Sequence, residues 1–340
     1  MIPILIAVPL AAALSAGLIL RLRPILMRYA LARPNARSSH TEPTPQGGGI
    51  AVVTATLAVT GLLIAAPDAT GEMLVLGFGA VVLAIVGAVD DIRPLPALLR
   101  LLLQAAIVTV LVMSVDGQLL PGIPLAAERA LAGLAGVWFV NLVNFMDGLD
   151  WMTVAEAVPI AGALAGFGLL GLLAPAPTLV AAALFGAMLG FGPFNRPVAK
   201  LFLGDVGALP IGLILAWLLY RLALDGGLAA AVLLPLYYVA DATLTLARRA
   251  ARREPVWQAH RSHFYQRATV NGFPVIGVVA RVFAVNLVLA LLAALTMLWP
   301  SATVTVAALA AGFLLVAWLL RLFSTPQAAS RPSRNTAGSH

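Results

Sequence analysis

Long apolar runs alternate along this chain with short clusters of Pro, Gly and charge. Many runs approach the roughly 20 residues that a helix needs to cross a bilayer, and about eleven can be counted on that criterion. They cover residues 2–20, 49–66, 73–89, 97–115, 130–145, 154–174, 178–194, 208–222, 228–247, 274–298 and 302–320. The breaks fall at turn-forming or charged clusters such as Pro67-Asp68, Pro121-Gly122, Pro175-Ala176-Pro177 and Asp225-Gly226-Gly227. The predicted fold is therefore all-α, a polytopic integral membrane protein. A single transmembrane domain spans 1–323, and the tail 324–340, polar and rich in Ser, Pro and Ala, has the composition of a disordered segment. The first run lacks a basic leader and a small-residue cleavage site and is read as the first span. No internal repeat is visible.

Composition sharpens this picture. Of 340 residues 61% are hydrophobic and only 10% charged, against roughly 25% charged in a soluble domain. Such a chain cannot cover a water-facing surface, so lipid is its solvent. The absence of cysteine removes disulfides, thiol nucleophiles and thiolate metal sites. The net charge of +7 follows topology and is no nucleic-acid signature. Alternate loops hold Arg23, Arg28, Arg33, Arg37, Arg93, Arg196, Lys200, Arg248, Arg249, Arg252, Arg253, Arg261 and Arg267, while the others hold little beyond Arg129. The positive-inside rule makes the first set cytoplasmic, with the N-terminus outside and the C-terminus inside.

The few acids within this frame gather on one face. Asp90, Asp91, Asp147, Asp150, Asp205 and Asp241 all fall where a span meets the cytoplasmic side. One such Asp is commonly a helix cap, but an ionisable residue at membrane depth is costly and marks function by default. Adjacent carboxylates at Asp90-Asp91 repel unless a cation sits between them. Oxygen ligands without soft partners suit Mg²⁺ or Mn²⁺. Arg93 and Arg100 follow closely and can hold phosphate oxygens. Asn141, Asn144, Asp147 and Asp150 recur every three residues, which on a helix keeps them near one face. Interhelical packing would explain the amides but not the charges. Gly204-Asp205-Val206-Gly207 sets a carboxylate between glycines, open to a metal or phosphate.

Two loops add recognition chemistry. Arg248 to Arg253 is an Arg cluster that topology and anionic lipid explain in part. His260-Arg261-Ser262-His263-Phe264-Tyr265-Gln266-Arg267 mixes imidazole, guanidinium and aromatic groups, which stack on bases and bind phosphate. Nothing nearby completes a tetrahedral zinc set around its histidines. Arg37-Ser38-Ser39-His40 through Gly47-Gly48-Gly49 combines stiffening prolines with glycines that permit close approach, as a substrate-facing loop would.

Taken in order, these five motifs resemble the polyprenyl-phosphate N-acetylhexosamine-1-phosphate transferases, glycosyltransferase family 4, along about residues 35–270. The His-Arg-Ser-His-Phe-Tyr-Gln-Arg form is most similar to the branch that starts O-antigen and related glycans; the peptidoglycan branch usually carries a more His-rich version. Three positions depart from the pattern. Gln46 stands where a basic residue is frequent, Trp151 where a Gly is expected, and Ala208 where a Ser is frequent. None removes a carboxylate.

The resemblance implies transfer of N-acetylhexosamine-1-phosphate from a UDP-sugar to undecaprenyl phosphate, with UMP released, on the cytoplasmic face of a bacterial inner membrane. It implies Mg²⁺ or Mn²⁺ as cofactor, surrounding lipid and the two substrates as partners, room for a homodimer, and no nucleic acid. It makes Asp205 a metal ligand, assisted by Asn144 and by one of Asp90 and Asp91, for which Asp91 is taken. Asp90, Asp91, Asp147 and Asp150 form the catalytic set. One of the Asp90–Asp91 pair faces the lipid phosphate as base, while Asp147 and Asp150 order the metal, its waters or the sugar. His260, Arg261 and His263 contact the uridine diphosphate, and Asn141, Arg93, Arg100, His40, Gly204 and Arg267 complete the substrate contacts. A lipid phosphate with a second pKa near 6 is mostly dianionic at pH 7, so direct attack is favoured over an aspartyl-phosphate. The alternative within the family is phospho-MurNAc-pentapeptide transfer of peptidoglycan synthesis; the rival class is a transporter of lipid-linked sugar, which would place its charges mid-membrane on paired repeats.

An odd number of spans puts the two termini on opposite faces. An epitope placed ahead of Ile2 should be accessible from outside intact cells, and a reporter fused after Arg321 should read as cytoplasmic. Both on one side would refute the topology.

Overall fold

A computed structural model of the chain describes residues 2–32, 43–65, 71–255 and 260–327. Helices dominate it. They are α1 (Ile2–Tyr29), α2 (Gly48–Leu63), α3 (Gly71–Ile92), α4 (Ala97–Ser114), α5 (Leu125–Met146), α6 (Met152–Leu169) and α7 (Pro175–Asn195), then α8 (Asp205–Leu222), α9 (Leu228–Leu233), α10 (Leu236–Ala251), α11 (Phe264–Val270), α12 (Val275–Leu298) and α13 (Ala302–Ser324). A π-helical turn, Ala223–Gly227, joins α8 to α9. Two-residue strands β1 (Leu31–Ala32) and β2 (Thr44–Pro45) pair antiparallel.

Every predicted span falls on a helix, with three adjustments. Among the described residues nine helical stretches are long and apolar enough to cross a membrane, whereas α2, with 16 residues, is shorter. The run predicted over 228–247 is broken in two. Pro235 has no N–H to continue the helix, so α9 ends before it and α10 starts after it. The first span is longer than predicted and runs to Tyr29 with Pro9 and Pro24 inside it.

α7 and α8 are buried around nearly their whole circumference and form the centre of the bundle. α1, α4 and α13 bury only one stripe and turn the rest outward. Little hydrophobic force separates such helices from lipid, so close packing through small residues has to hold the bundle. The start of α8 shows this best. A Cβ on Gly49 of α2 would lie 2.1 Å from Gly207 Cα, and one on Gly87 of α3 would lie 2.2 Å from the Asp205 carbonyl oxygen. Both obstacles are backbone. α2 and α3 therefore converge on the first turn of α8, and their polar ends are carried there with them.

The segment 44–49 is stitched to the segment before α8. Phe202 N–H donates to Pro45 O at 2.9 Å, Gly48 N–H to Phe202 O at 2.8 Å and Gly49 N–H to Leu203 O at 2.9 Å. Gly49→Ala should accordingly lower the thermal unfolding midpoint of the detergent-purified protein or abolish folding. Gly61→Ala, where a Cβ meets nothing within 4 Å, should leave the midpoint unchanged. Equal midpoints for both variants would contradict this packing.

Candidate active site

Asp90 and Asp91 end α3 facing the first turn of α8. The Asp91 carboxylate accepts the α8 amides, Asp205 N–H at 2.9 Å on Oδ1 and Val206 N–H at 3.1 Å on Oδ2. The Gln46 side-chain amide also donates to Oδ1. These are amides that a helix start leaves unpaired, and the positive end of the α8 dipole favours the charge. Asp90 accepts Leu95 N–H at 2.6 Å and pairs with Arg100 of α4. The same guanidinium reaches Asp205 at 3.6 Å, so Arg100 bridges the two carboxylates. Asn144 near the end of α5 donates to Asp205. Gly204 caps α8 with φ 77°. Asp90, Asp91, Asp205, Asn144 and Arg100 thus come together from four helices.

The series Asn141–Asp150 is only half helical. α5 ends at Met146, and Asp147 to Trp151 form a loop. Asp147 is half-buried and bonded by the Thr153 hydroxyl. Burial raises its carboxyl pKa to about 7 against the pull of Thr153, and the charges of Asp91 and Asp150 add to the rise. Asp150 is turned toward the segment between α7 and α8, where it accepts Ala199 N–H at 2.9 Å. Asn141 spends both amide hydrogens on Gln104 Oε1, at 2.6 Å, and on Val137 O, at 2.8 Å. It links α5 to α4. Arg93 stands exposed beyond α3. His40 lies outside the described residues.

The His260–Arg267 segment is docked beside this loop. Asp241 of α10, fully buried, accepts Phe264 N–H at 3.0 Å and Tyr265 N–H at 3.1 Å, so it caps α11. His263 Nδ1 lies 3.2 Å from the same carboxylate, and the Tyr237 hydroxyl donates to it at 3.1 Å. His263 is 2% exposed and stacks on His260, ring centres 4.9 Å apart. The Tyr265 hydroxyl donates to Phe145 O at 3.0 Å and fills the place a side chain at residue 148 would need. Burial, with the charges of Asp241 and Asp147, pushes the Tyr265 phenol well up, so it remains a donor. Arg261 lies close enough for its charge to act on that phenol. Arg248 and Arg267 lie over Phe264, at 4.5 and 6.0 Å from its centre.

A second feature is an apolar cavity of about 520 Å³ among α4, α5, α8, α9, α10 and α13. Trp138, Phe139, Leu142, Trp217, Val239 and Phe313 are among its walls. It follows α5 from Glu128 to Leu142, roughly 21 Å at 1.5 Å per residue. It stops two residues short of Asn144.

Among the described residues no three His, Asp or Glu side chains converge tightly enough to bind a metal unaided. Mg²⁺ does not require that, since it is held by one or two carboxylates with waters and substrate phosphates. The donor set here, Asp205 beside Asn144 and Asp90, suits a hard ion of this kind. Asp91 suits it less, because each of its oxygens already accepts an α8 amide.

Four contributors carry no motif in the sequence. Gln104, Thr153 and Asn195 support Asn141, Asp147 and Trp151, and Asp241 supports the histidine loop. Only Asp241 shows a sequence signal, as one of the inner-face acids.

Comparison with known proteins gives a consistent picture. Residues 73–223 match the family model described as glycosyl transferase family 4. The chain is 36% identical over 215 residues to a decaprenyl-phosphate N-acetylglucosaminephosphotransferase of Mycobacterium tuberculosis, covering 55% of this chain and 52% of that protein. It is 26% identical over 273 residues to a probable undecaprenyl-phosphate N-acetylglucosaminyl 1-phosphate transferase of Bacillus subtilis, 75% of each. It is 30% identical over 278 residues to a phospho-N-acetylmuramoyl-pentapeptide-transferase of Deinococcus radiodurans, 72% of this chain and 82% of that protein. The match spans about half the length of the mycobacterial relatives.

The Asp147 carboxyl generates a pH signature. Its pKa is about 7 in the folded protein against an ordinary 3.8, so the folded state holds a proton that the unfolded state has released. Stability falls as pH rises between about 4 and about 7. Asp147→Asn removes that slope in metal-free protein, so its unfolding midpoint should gain on the wild type as pH rises through this window. Parallel midpoint curves would contradict the shift.

Proposed function

Since the chain belongs to glycosyl transferase family 4, we propose that it transfers an N-acetylhexosamine-1-phosphate from a UDP-sugar to a polyprenyl phosphate, with undecaprenyl phosphate as the acceptor. The observation that carries the reading is the junction of two environments. A cluster of Asp90, Asp91, Asp205, Asn144 and Arg100 stands at the helix ends where the apolar cavity along α5 stops. A lipid phosphate needs both, an apolar channel for its chain and a polar site for its head.

In this reading the prenyl chain lies along Trp138, Phe139 and Leu142, and its phosphate reaches the cluster. An acceptor phosphate oxygen attacks the sugar-bearing phosphorus of the nucleotide. A phosphorus–oxygen bond forms there, and the bond from that phosphorus to the oxygen shared with the α-phosphate breaks. UMP leaves with the electron pair. Two anions must meet, which favours preorganised cations and donors. Arg100 supplies one charge at the carboxylate pair. Asp205, with Asn144 and Asp90, would hold Mg²⁺ or Mn²⁺, which when bound offsets charge on the diphosphate. Asp91 holds the first turn of α8, and with it the Asp205 backbone, in place. Asp147, in its partly desolvated seat, can take up or release a proton close to neutral pH. His260 and Arg261 reach the nucleotide side, and His263 backs His260 by stacking while Asp241 fixes its ring.

The orientation proposed is the one the Arg distribution favours, with the site on the cytoplasmic face of a bacterial inner membrane. The glycan proposed is O-antigen or a related envelope polymer, on the form of the 260–267 segment. The Deinococcus relative keeps a UDP-muramoyl-peptide donor as the second reading. Transport fits less well, because the charges sit at helix ends and not at mid-membrane.

Purified protein given undecaprenyl phosphate, Mg²⁺ and a panel of radiolabelled UDP-sugars should form a lipid-linked product and UMP with a UDP-N-acetylhexosamine. Asp205→Asn should fold and lose about a hundredfold or more in turnover, and EDTA should abolish activity. Product formation only from the UDP-muramoyl-peptide would support the second reading. An Asp205→Asn enzyme with near-normal turnover would remove Asp205 from the site.

A further inference from the structure

Beneath the α5–α6 loop, inside the bundle, a second polar group stands apart from the reaction site. Glu156 lies on α6 one turn below Thr153 and is 1% exposed. Asn286 of α12 is also 1% exposed. The Asn286 amide donates to Glu156 Oε2 at 2.6 Å and to Ala155 O at 2.9 Å, which spends both of its hydrogens. Two buried oxygens of this pair are left without a donor, Glu156 Oε1 and Asn286 Oδ1.

An ionised carboxylate cannot resolve that arrangement, since both remaining atoms would be acceptors. Nor is a cation at hand to compensate the charge. α7 carries no titratable side chain, and α8 none between Asp205 and Tyr220. The one charged residue of α12, Arg281, is exposed and bonded to Gly277 O at 2.8 Å. From α10 the titratable group near Glu156 is the fully buried Tyr238, which also feels the charge of Asp147. A lone buried charge in such surroundings is strongly disfavoured. A single proton on Oε1 answers every requirement. It neutralises the acid and supplies the donor that Asn286 Oδ1 lacks.

We propose that Glu156 is a neutral carboxylic acid whose O–H bonds Asn286 Oδ1, closing a two-hydrogen-bond acid–amide clasp between α6 and α12 that positions Thr153 beneath Asp147. The clasp does not depend on the transferase reading. Glu156 is a positioning residue; it acts through the seating of α6, whose first turn carries the hydroxyl that bonds Asp147.

The test combines spectroscopy with rescue. Infrared spectra of the full-length protein in detergent at about pH 8 should show a protonated-carboxyl C=O band that disappears in Glu156→Gln and persists in Asp147→Asn. Gln restores the pairing, because its amide N–H donates where the acid O–H did. Glu156→Gln should therefore keep the wild-type unfolding midpoint, while Glu156→Ala should lose several degrees or fail to fold. The wild-type midpoint should be the same in sodium and in choline buffers. Absence of the band, a Glu156→Gln protein markedly less stable than wild type, or a midpoint raised by sodium would overturn the proposal. The last would show that Glu156 Oε1, Asn286 Oδ1 and the Tyr238 hydroxyl hold a cation instead.

Discussion

The structure turns on one carboxylate placed at the start of one helix. Asp91 ends α3, where its own helix dipole disfavours it, and is held by the opposite end of another dipole, through the first two amides of α8. α8 is the most enclosed helix of the bundle, so unpaired amides at its start would be costly. Satisfying them from α3 fixes where α3 ends relative to α8. Gly87 allows the approach and Gln46 of the neighbouring loop completes it. With Asp91 committed, the remaining carboxylates acquire distinct surroundings. Asp90 is tied to Arg100, and Asp205 is shared among Arg100, Asn144 and Asp90. The pair Asp90-Asp91, symmetric as letters, is thus asymmetric in its partners, one member capping α8 and the other paired with Arg100.

The histidine loop repeats the device. Asp241 caps α11 as Asp91 caps α8, and in both cases an acid from one helix satisfies the amides of another, fully buried at Asp241 and half-buried at Asp91. The consequence differs. Asp241 also grips His263, so the recognition segment is anchored through an imidazole as well as through backbone. Tyr265 then ties it to Phe145 at the end of α5. A loop fixed at both points is held in one position, so a ligand that bound it would meet little ordering cost.

Much of the fold was legible, because span length is a strong physical signal. The third run was predicted over 73–89 and α3 covers Gly71–Ile92. The break in 228–247 was not read, because the apolar run continues across Pro235 and outweighed that single helix-breaking residue. The acids were visible because carboxylates are conspicuous in apolar sequence. Their partners were not. That Asp150 accepts Ala199 N–H, that Asn141 bonds Gln104 and that Asp91 caps α8 are facts of tertiary distance, which spacing does not encode. The three-residue series from Asn141 misled in one respect. It suggested a continuous helix face, whereas α5 stops at Met146 and the last two acids face different neighbours. Gly148 was the local warning. Glu156 and Asn286 were single polar letters in apolar runs, visible but without a pattern to join them.

Trp151 shows how a departure from an expected pattern can leave the chemistry intact. The resemblance leads one to expect Gly there, and the backbone explains why, since Trp151 has φ 63° and ψ 1°, the left-handed region. A residue with a side chain gives up roughly 1–2 kcal/mol in that conformation. The indole N–H bonds Gly192 O at 2.6 Å, and the Trp151 amide donates to Asn195 Oδ1 at 2.8 Å. At about 1 kcal/mol, the indole bond, which a Gly could not make, offsets much of the strain. Asn195 passes the connection on to Leu201 O at 2.9 Å, in the segment that leads into Asp205. Trp151 therefore braces the turn, with the loop of Asp147 and Asp150 tied on one side and the approach to α8 on the other. What changes is the shape and stiffness of the wall beside the carboxylates. Asp147 and Asp150 keep their own partners beside it, the Thr153 hydroxyl and Ala199 N–H.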